Sequence, residues 1–360
     1  MKIFLLTLVL SVFCGIPTFA FDSFAATQSA DWQQEDDLFG AFRANAPHFW
    51  NWLKNQNSPM LRASGVVVGD PHILNFGDVQ LSTQGRVFAL IDIDDGGPHA
   101  PFAGDLIRYA AGNQISPFQI SLNSLFDAYV LGLKGLQVSE PEILREALSH
   151  SDADYLNRQS KYLNNMTDHD RFSAKAKVTS ISQSPAAVQN LFRQARGYFE
   201  ASMPGYEILD TGYKTKNSGG SSGLPRFWYL IQKNQTRYII EFKLEKDAAT
   251  SFYSDQGDAV SRFPYVAQIY RPAETVYGPY KIIATPVGQF LMRARLKPYL
   301  DFENEAGSKY GREMSLYIAN RLGLWHGQQE QSDDLLQGLR YPEFETLVNS
   351  YINLMKKENN

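Results

Sequence analysis

The sequence has almost no cysteine: Cys14 is the only one in 360 residues. It lies in an N-terminal segment that has the pattern of an export signal. Lys2 supplies a positive charge there, an apolar stretch runs from Ile3 to Phe13, and Thr18–Phe19–Ala20 offers a small-residue cleavage site. Cleavage after Ala20 would remove the cysteine. The remaining chain would then have neither a disulfide nor a cysteine nucleophile.

Long hydrophobic runs and a strong net charge are also lacking. The apolar stretch near the N-terminus is shorter than the about 20 residues that a permanent transmembrane helix needs, and no second candidate follows it. The formal net charge is −4, which favours neither nucleic acid nor an anionic membrane as a partner. We therefore expect a periplasmic or secreted globular protein with no stable membrane span after signal cleavage.

The first half of the chain contains both helical and strand patterns. Aromatic residues within 27–62 have the spacing of amphipathic helix. Two β-branched runs, Gly65–Val68 and Arg86–Ile93, predict strands that flank a polar loop and form a hairpin-like unit. From Asp105 the pattern is helical to about residue 204, with a polar interruption at 151–185.

The second half begins with the most Gly/Ser-rich stretch of the chain, Lys214–Gly223. Strands are predicted at Arg226–Ile231, Arg237–Leu244 and Lys281–Ala284. The apolar spacing of Arg312–Trp325 predicts an amphipathic helix. The two halves together predict an α+β fold.

Two polar loops carry the residues with the clearest chemical meaning. Asp70 and Asn75 follow the first predicted strand, and Asp92 and Asp94 end the next one. Phosphoryl transfer needs a carboxylate that accepts the proton of the attacking hydroxyl, together with oxygen ligands that hold Mg²⁺ against the phosphates. The residue types of the two loops meet this requirement, because oxygen ligands suit Mg²⁺ better than histidine or thiolate does.

Taken one at a time, the same residues have other interpretations. Asp70–Pro71 alone is typical of a turn in which the carboxylate accepts backbone N–H groups. His72 is more often a structural hydrogen-bonding residue than a ligand, and Asp94–Gly97 could form only a polar turn. A two-metal phosphoesterase could also use the carboxylates together with His72 and His99, although such enzymes normally take further histidines from later strands.

A longer motif extends the first loop: Gly69–Asp70–Pro71–His72–Ile73–Leu74–Asn75–Phe76–Gly77. It resembles the catalytic loop of the bacterial family called domain of unknown function 2252. That family is similar to aminoglycoside and choline kinases in the protein-kinase-like superfamily. Asp92–Asp95 followed by Asp105–Arg108 resembles its next block. The resemblance implies a catalytic base at Asp70, metal ligands at Asn75 and Asp92, a second acidic candidate at Asp94, and supporting roles for His72, Asp105 and Arg108.

The resemblance continues in the second half. Gly220–Ser221–Ser222–Gly223, with Arg226 after it, looks like the family's glycine-rich loop, whose backbone N–H groups could line phosphate oxygens. Lys246–Ser251 resembles a block with a phosphate-binding lysine at the end of the next strand. Lys243 competes for this role. Strand alternation puts the two side chains on opposite faces, so only one of them can point inward, and we favour Lys246. The implied cofactors are Mg²⁺ or Mn²⁺ and ATP or another nucleotide.

The order of these motifs predicts an unusual topology. In kinases the nucleotide-binding lobe precedes the catalytic loop, whereas here the glycine-rich loop and the lysine follow it. A two-lobed, circularly permuted protein-kinase-like fold explains this order. We expect a signal peptide in 1–20, a helical extension in 21–59, the catalytic region of the large lobe in 60–205, a small β-rich nucleotide-binding lobe in 206–288, and helices completing the large lobe in 289–360.

These features predict an exported kinase-like phosphotransferase. It would move a phosphoryl or nucleotidyl group from a nucleotide to a hydroxyl of an unknown small-molecule or protein acceptor. The first alternative is a non-catalytic pseudokinase-type binding protein, because the sequence offers no clear glutamate partner for the lysine and the periplasm lacks a bulk ATP pool. The two-metal phosphoesterase is the second alternative.

Overall fold

The computed structural model describes residues 37–81, 85–117, 119–214, 223–271, 279–300, 302 and 309–359. It combines α-helices with antiparallel sheets, so the α+β class predicted from the sequence is confirmed. The predicted signal peptide lies outside the described residues. The same is true of Gly220, Ser221 and Ser222 from the glycine-rich motif.

Two short helices open the described chain, α1 (Leu38–Ala44) and α2 (Ala46–Lys54). Their aromatic side chains point inward, and Phe42, Phe49 and Trp50 have no exposed surface. These rings belong to the main hydrophobic core. The aromatic spacing in the sequence therefore predicted both the helices and the face that they bury.

Four strands surround the two polar loops: β1 (Ser64–Val67), β2 (Phe76–Leu81), β3 (Gly85–Leu90) and β4 (Gly97–Pro101). β1 pairs with β4, and β2 pairs with β3, both antiparallel. The hairpin predicted between the two β-branched runs is therefore wrong. The apolar pattern does not reveal β2, because Asp78 and Gln80 are polar residues that the fold nevertheless buries.

The helical half contains α3 (Phe102–Ile115), α4 (Leu122–Leu133), α5 (Glu142–Ser149), α9 (Lys309–Gly327), α10 (Ser332–Gly338) and α11 (Tyr341–Glu358). One core joins side chains from residues 41–147 with side chains from residues 249–355. α4 and α9 approach closely where both have glycine. A Cβ on Gly132 would lie 2.0 Å from the carbonyl oxygen of Asn320, and one on Gly323 would lie 2.1 Å from that of Tyr129.

The other half of the molecule is built on a six-stranded antiparallel sheet. Its strands are β7 (Thr179–Ser180), β8 (Glu207–Lys214), β9 (Arg226–Lys233), β10 (Thr236–Leu244), β11 (Tyr280–Thr285) and β12 (Gly288–Ala294), in the order β11-β12-β10-β9-β8-β7. A separate short ribbon pairs β5 (Thr167–Asp168) with β6 (Arg171–Phe172). The sheet thus continues to Ala294, beyond the lobe boundary expected at residue 288.

One face of the sheet is covered by α7 (Ala186–Ser202). Phe199 of this helix stacks on Tyr229, with 3.6 Å between the ring centroids. α7 therefore packs with the sheet, although the expected division put its residues in the large lobe. The reason is the strand alternation in β9 and β10, which turns Phe227, Tyr229 and Phe242 toward a helix with a matching apolar stripe.

The polar interruption expected at 151–185 contains a helix, α6 (Asp152–Met166). Its N-terminus is stabilised by a capping box between Ser151 and Asp154. Leu163 and Met166 pack against Trp228 on the second face of the sheet. The sequence pattern missed this helix because only Tyr155 and Gln159 on it are buried.

One helix, α8 (Ala259–Tyr270), connects the two halves. The hydroxyl of Tyr270 donates to the carbonyl oxygen of Val66 in β1 at 2.6 Å, and Phe263 packs on Tyr280 of β11. α8 therefore holds the edge of the sheet next to the loops that follow β1 and β3. In the part of the chain that the structure describes, no helix is long and apolar enough to cross a membrane.

Candidate active site

The loop Gly69–Asn75, hereafter the Asp70 loop, follows β1 and lies on the backbone of the second polar loop. Gly69 has a positive φ of 83°, and a Cβ at this position would lie 1.9 Å from the carbonyl oxygen of Asp95. Only glycine fits both conditions. On the other side, the indole N–H of Trp50 donates to the carbonyl oxygen of Gly69 at 2.6 Å.

Asp105, in the first turn of α3, holds the start of the Asp70 loop. Its carboxylate accepts hydrogen bonds from the amides of Val68 at 2.7 Å and Gly69 at 3.0 Å. His326 of α9 lies 3.3 Å from the same carboxylate, and its other ring nitrogen is 2.7 Å from the hydroxyl of Tyr129. α9 therefore lies directly behind the loop, and Asp105 contacts the loop backbone.

Asp70 is buried and paired with Arg108 of α3. Nε and Nη2 of Arg108 donate to Oδ1 of Asp70 at 2.8 and 2.5 Å. Nε2 of His72 lies 3.5 Å from Oδ2. Burial raises the pKa of the Asp70 carboxyl above its usual value, although the charge of Arg108 acts in the opposite direction.

Asn75 closes the Asp70 loop. Its side-chain N–H₂ donates to the carbonyl oxygen of Asp70 at 2.9 Å, which fixes the rotamer and leaves the amide oxygen as the atom that could bind a cation. Its backbone carbonyl accepts from the amide of Ile91 at 2.8 Å. Asn75 is thus bonded to Ile91, the residue that precedes Asp92 in the chain.

Asp92 and Asp94 lie in a loop, not on a strand, because β3 ends at Leu90. Oδ1 of Asp92 is 3.5 Å from Nη1 of Arg293, and the side chain of Asp92 is 38% exposed. Oδ2 of Asp94 forms an ion pair with Lys243 of β10. The second polar loop therefore reaches both halves of the molecule.

Asp94 has one carboxylate oxygen that a cation could satisfy. Its Oδ1 is buried and has no hydrogen-bond partner among the described residues. Such an oxygen is costly unless a donor or a cation satisfies it. In the same part of the chain, no group of three or more His, Cys, Asp or Glu side chains is arranged to hold a metal. A cation site would accordingly combine the oxygens of Asp94 and Asp92 with the amide oxygen of Asn75.

Asp95, the next residue, connects the loop to the segment after β10. Its Oδ1 accepts from the amide of Ala249 at 3.0 Å, and its carbonyl oxygen accepts from Thr250. Burial raises the pKa of the Asp95 carboxyl, and the positive charge of Lys246 acts against this shift. Asp95 therefore has a structural role in joining the two halves.

The sheet face opposite α7 has a cluster of buried charges. Glu241 accepts from Arg293 at 2.9 Å, from Arg226 at 3.2 Å and from the indole of Trp228 at 3.1 Å. Although burial acts to raise it, the pKa of Glu241 is well below its usual value, because Arg293, Arg295 and Arg226 outweigh burial. The predicted phosphate-loop residue Arg226 thus belongs to an ion-pair cluster at the start of β9.

Lys243 and Lys246 have different surroundings. Lys243 is 2% exposed and pairs with Glu245 at 3.0 Å as well as with Asp94. Burial lowers the pKa of Lys243, and the charge of Glu245 opposes this shift. Lys246 lies beyond the end of β10, is half-buried, and its carbonyl oxygen accepts from Arg262 at 3.4 Å. Strand alternation therefore does not decide between the two lysines.

Sequence reasoning did not single out Glu241 or Glu245. Both alternate with Lys243 at every second position along and just beyond β10, within an otherwise apolar run. This period of two places all three side chains on one face of the strand. Three charges on one face of a buried strand were the signal that could have identified this part of the site.

Residues 35–124 match the family model described as "Uncharacterized protein conserved in bacteria (DUF2252)". No curated protein and no solved structure matches the chain. The matched stretch contains the Asp70 loop, the Asp92–Asp95 loop and all of α3. The resemblance of this part of the chain to that bacterial family is therefore confirmed.

Proposed function

We propose that this protein is a kinase-like phosphotransferase that moves a phosphoryl or nucleotidyl group from a nucleotide to a hydroxyl acceptor. The acceptor would be a small molecule or a protein. The proposal includes a protein-kinase-like fold in circularly permuted order, with the helical half as the large lobe and the sheet as the nucleotide-binding lobe.

The ion pair between Lys243 and Asp94 is the observation that carries this proposal. It joins β10 of the sheet to the loop after β3, two segments far apart in the sequence. A lysine held in this way presents a fixed positive charge next to carboxylates, which is the combination that phosphoryl transfer uses. The charges of Asp70 and Asp92 act on each other and on the neighbouring Asp95, so the two polar loops share one electrostatic environment.

Asp70 would act as the base that accepts the proton of the acceptor hydroxyl. Its raised pKa makes the ionised carboxylate a stronger base than an exposed aspartate, and Arg108 keeps it oriented. Asn75, Asp92 and Asp94 would hold Mg²⁺ or Mn²⁺, which would neutralise phosphate charge when bound. Lys243 is favoured over Lys246 as the phosphate-binding lysine because its side chain reaches Asp94.

The position of α9 supports the permuted order. Trp325 stacks on Phe76 at the end of the Asp70 loop, with 6.3 Å between the ring centroids, and His326 contacts Asp105. A kinase chain would pass directly from such a helix into the catalytic loop. Here the two are neighbours in space but lie at opposite ends of the described chain.

A non-catalytic pseudokinase is the second candidate, and one observation favours it. Asp70 is only 6% exposed and its Oδ1 is occupied by both contacts from Arg108. A buried carboxylate in such an ion pair can hold the Asp70 loop on α3 without taking part in catalysis. The two-metal phosphoesterase has less support, because the described residues contain no cluster of three His, Cys, Asp or Glu side chains suited to metal.

Calorimetric titration with ATP, GTP and other nucleotides, with and without Mg²⁺, tests the proposal together with an assay of transfer. Asp92→Asn should weaken metal-dependent nucleotide binding by about tenfold or more, because it removes a ligand charge. Asp70→Asn should keep nucleotide binding but lower transfer by about 10²–10⁴-fold. Asp255→Asn, an exposed aspartate before α8, serves as the control.

The outcomes separate the candidates. A pseudokinase would bind nucleotide but show no transfer in the wild type, whereas a phosphoesterase would lose metal with either substitution. If the wild type binds neither nucleotide nor divalent metal at millimolar concentration, the phosphotransferase proposal is wrong.

Export to the periplasm or the medium is part of the proposal, based on the N-terminal sequence pattern. Mass spectrometry of fractionated cells should find a mature chain that begins near Phe21 outside the cytoplasm. An intact N-terminus on a cytosolic protein would contradict export, and would also remove the main objection to ATP as the donor.

A further inference from the structure

A cavity lies away from the Asp70 loop, between α6 and the first residues of β10. Its volume is about 730 Å³, within the range of about 300–1,000 Å³ that small-molecule sites occupy. Its walls come from α6, from the β9–β10 turn with the start of β10, and from residues 294–296 at the end of β12. Lys243, which pairs with Asp94, is at the opposite end of β10, and the cavity adjoins the Glu241 cluster through Arg295.

The cavity wall combines apolar surface with hydrogen-bonding groups. Tyr162 and Tyr238 contribute rings, and Ser160, Asn164 and Thr236 contribute hydroxyl and amide groups. Leu156 lies on this wall and remains 51% exposed, although it is a large apolar side chain. A ligand with both hydroxyl groups and an apolar ring face matches such a wall.

The charged side chains on the described part of the cavity wall are all positive. Its described residues include two arginines, Arg237 and Arg295, and no Asp or Glu. Arg237 is fully engaged: it donates to the carbonyl oxygen of His169 and to Asp170, both at 2.6 Å, and to Gln232 at 3.3 Å. Arg237 therefore shapes the rim, and Arg295 is the cation available to a ligand.

Among the described residues, the hydrogen-bonding groups of the Arg295 side chain are only partly satisfied. Its Nη1 lies 3.8 Å from Oε1 of Glu241, which is beyond hydrogen-bonding distance, and its Nε is buried without a hydrogen-bond partner there. Glu241 instead accepts the shorter contacts of Arg293 and Arg226. The side chain of Arg295 is 33% exposed, compared with 12% for Arg293 and 8% for Arg226.

We propose that this cavity is a binding site for a small polyhydroxylated anion. The carboxylate or phosphate of the ligand would pair with Arg295, and its hydroxyl groups would bond to Ser160, Asn164 and Thr236. The guanidinium of Arg295 shares the carboxylate of Glu241 with two other arginines. The pairing is favourable because the ligand would give Arg295 an anionic partner of its own. This site does not depend on the phosphotransferase proposal, since none of its residues belongs to the Asp70 or Asp92 loops.

Isothermal titration calorimetry of the full mature chain tests the site, with glucuronate, glucose 6-phosphate and glucose as probes. We expect saturable binding of at least one anionic probe, and binding of neutral glucose that is weaker by about tenfold or more. Comparison of the two anionic probes shows whether the site prefers a carboxylate or a phosphate. Arg295→Met keeps an unbranched apolar side chain but removes the charge, together with the cation–π contact to Trp228, and should weaken binding of the anion by about tenfold or more.

Two further variants keep the test decisive. Lys161→Met removes one positive charge from an exposed position of α6 outside the cavity wall, and should leave the affinity unchanged. Leu156→Trp places a bulkier ring on the cavity wall at an exposed helical position, and should weaken binding of the anion even if Arg295→Met fails to fold.

Three results would each overturn the proposal. The first is the absence of saturable binding of both anionic probes up to about 10 mM, a concentration that would detect even very weak sites. The second is equal affinity for glucose and the anions. The third is an affinity for the anion that survives both Arg295→Met and Leu156→Trp.

Discussion

Asp105 and Gly69 are joined by a buried hydrogen bond, in which the carboxylate accepts from the glycine amide at 3.0 Å. The same carboxylate accepts from the amide of Val68 at 2.7 Å. Two backbone donors at the point where β1 ends would otherwise be buried without partners, since β4 pairs with β1 only as far as Val67. Asp105 therefore determines how the Asp70 loop leaves the strand.

Asp105→Asn should lower the free energy of unfolding by about 1–3 kcal/mol, because the new amide N–H₂ would face a backbone donor. Urea denaturation followed by circular dichroism measures the change. Asp127→Asn is the control, since Asp127 is exposed on α4 and accepts a hydrogen bond from the side-chain amide of Asn123 at 2.8 Å. Equal effects of the two substitutions would contradict the role assigned to Asp105.

Arg108→Met should destabilise the protein by about 3–5 kcal/mol, because it leaves the Asp70 carboxylate buried without its cationic partner. Asp70→Asn in the same chain should restore part of this loss, since a neutral amide needs no cation. A double-mutant cycle from denaturant unfolding measures the coupling between the two residues. If the two effects simply add, Arg108 and Asp70 do not stabilise each other and the Asp70 geometry described above is wrong.

Glu241 should make stability depend on pH in the acid range. Its pKa in the folded protein lies below the usual value of 4.5, so the unfolded chain binds more protons than the folded chain below about that pH. The stabilisation from Glu241 is therefore fully present above pH 4.5 and is lost as the pH falls through the folded-state pKa. Glu241→Gln should cost about 3–5 kcal/mol at pH 7 and distinctly less at pH 3. Urea unfolding at both pH values measures this difference, and a cost independent of pH would contradict it.

The choice between Lys243 and Lys246 can be decided within the proposed function. Lys243→Met should weaken binding of the Mg²⁺–nucleotide complex by about 30-fold or more, because it removes a buried, paired charge that reaches Asp94. Lys246→Met removes the same charge from a half-buried position after β10, and should change the affinity by less than about tenfold. Calorimetry at a temperature where both variants are folded provides the measurement. The opposite order of effects would favour Lys246.

Much of the local structure could be predicted from the sequence. The period of apolar residues identified α1, α2 and α9, and the two β-branched runs identified β1 and most of β3. The Asp70 loop and the Asp92–Asp95 loop also stood out, because each combines turn residues with acidic groups within a few positions. These features depend on interactions between residues close in sequence, which is why a pattern can reveal them.

Only the tertiary structure decided how these parts meet. β1 pairs with β4 and not with β3, α7 packs on the sheet, and Lys243 reaches Asp94 across the two halves. The polar strand β2 and the buried ions Glu241 and Glu245 escape a hydrophobicity pattern, since their burial is compensated by partners distant in sequence. The packing of the whole chain decides which residues pair in this way, so a local sequence pattern cannot predict the partners.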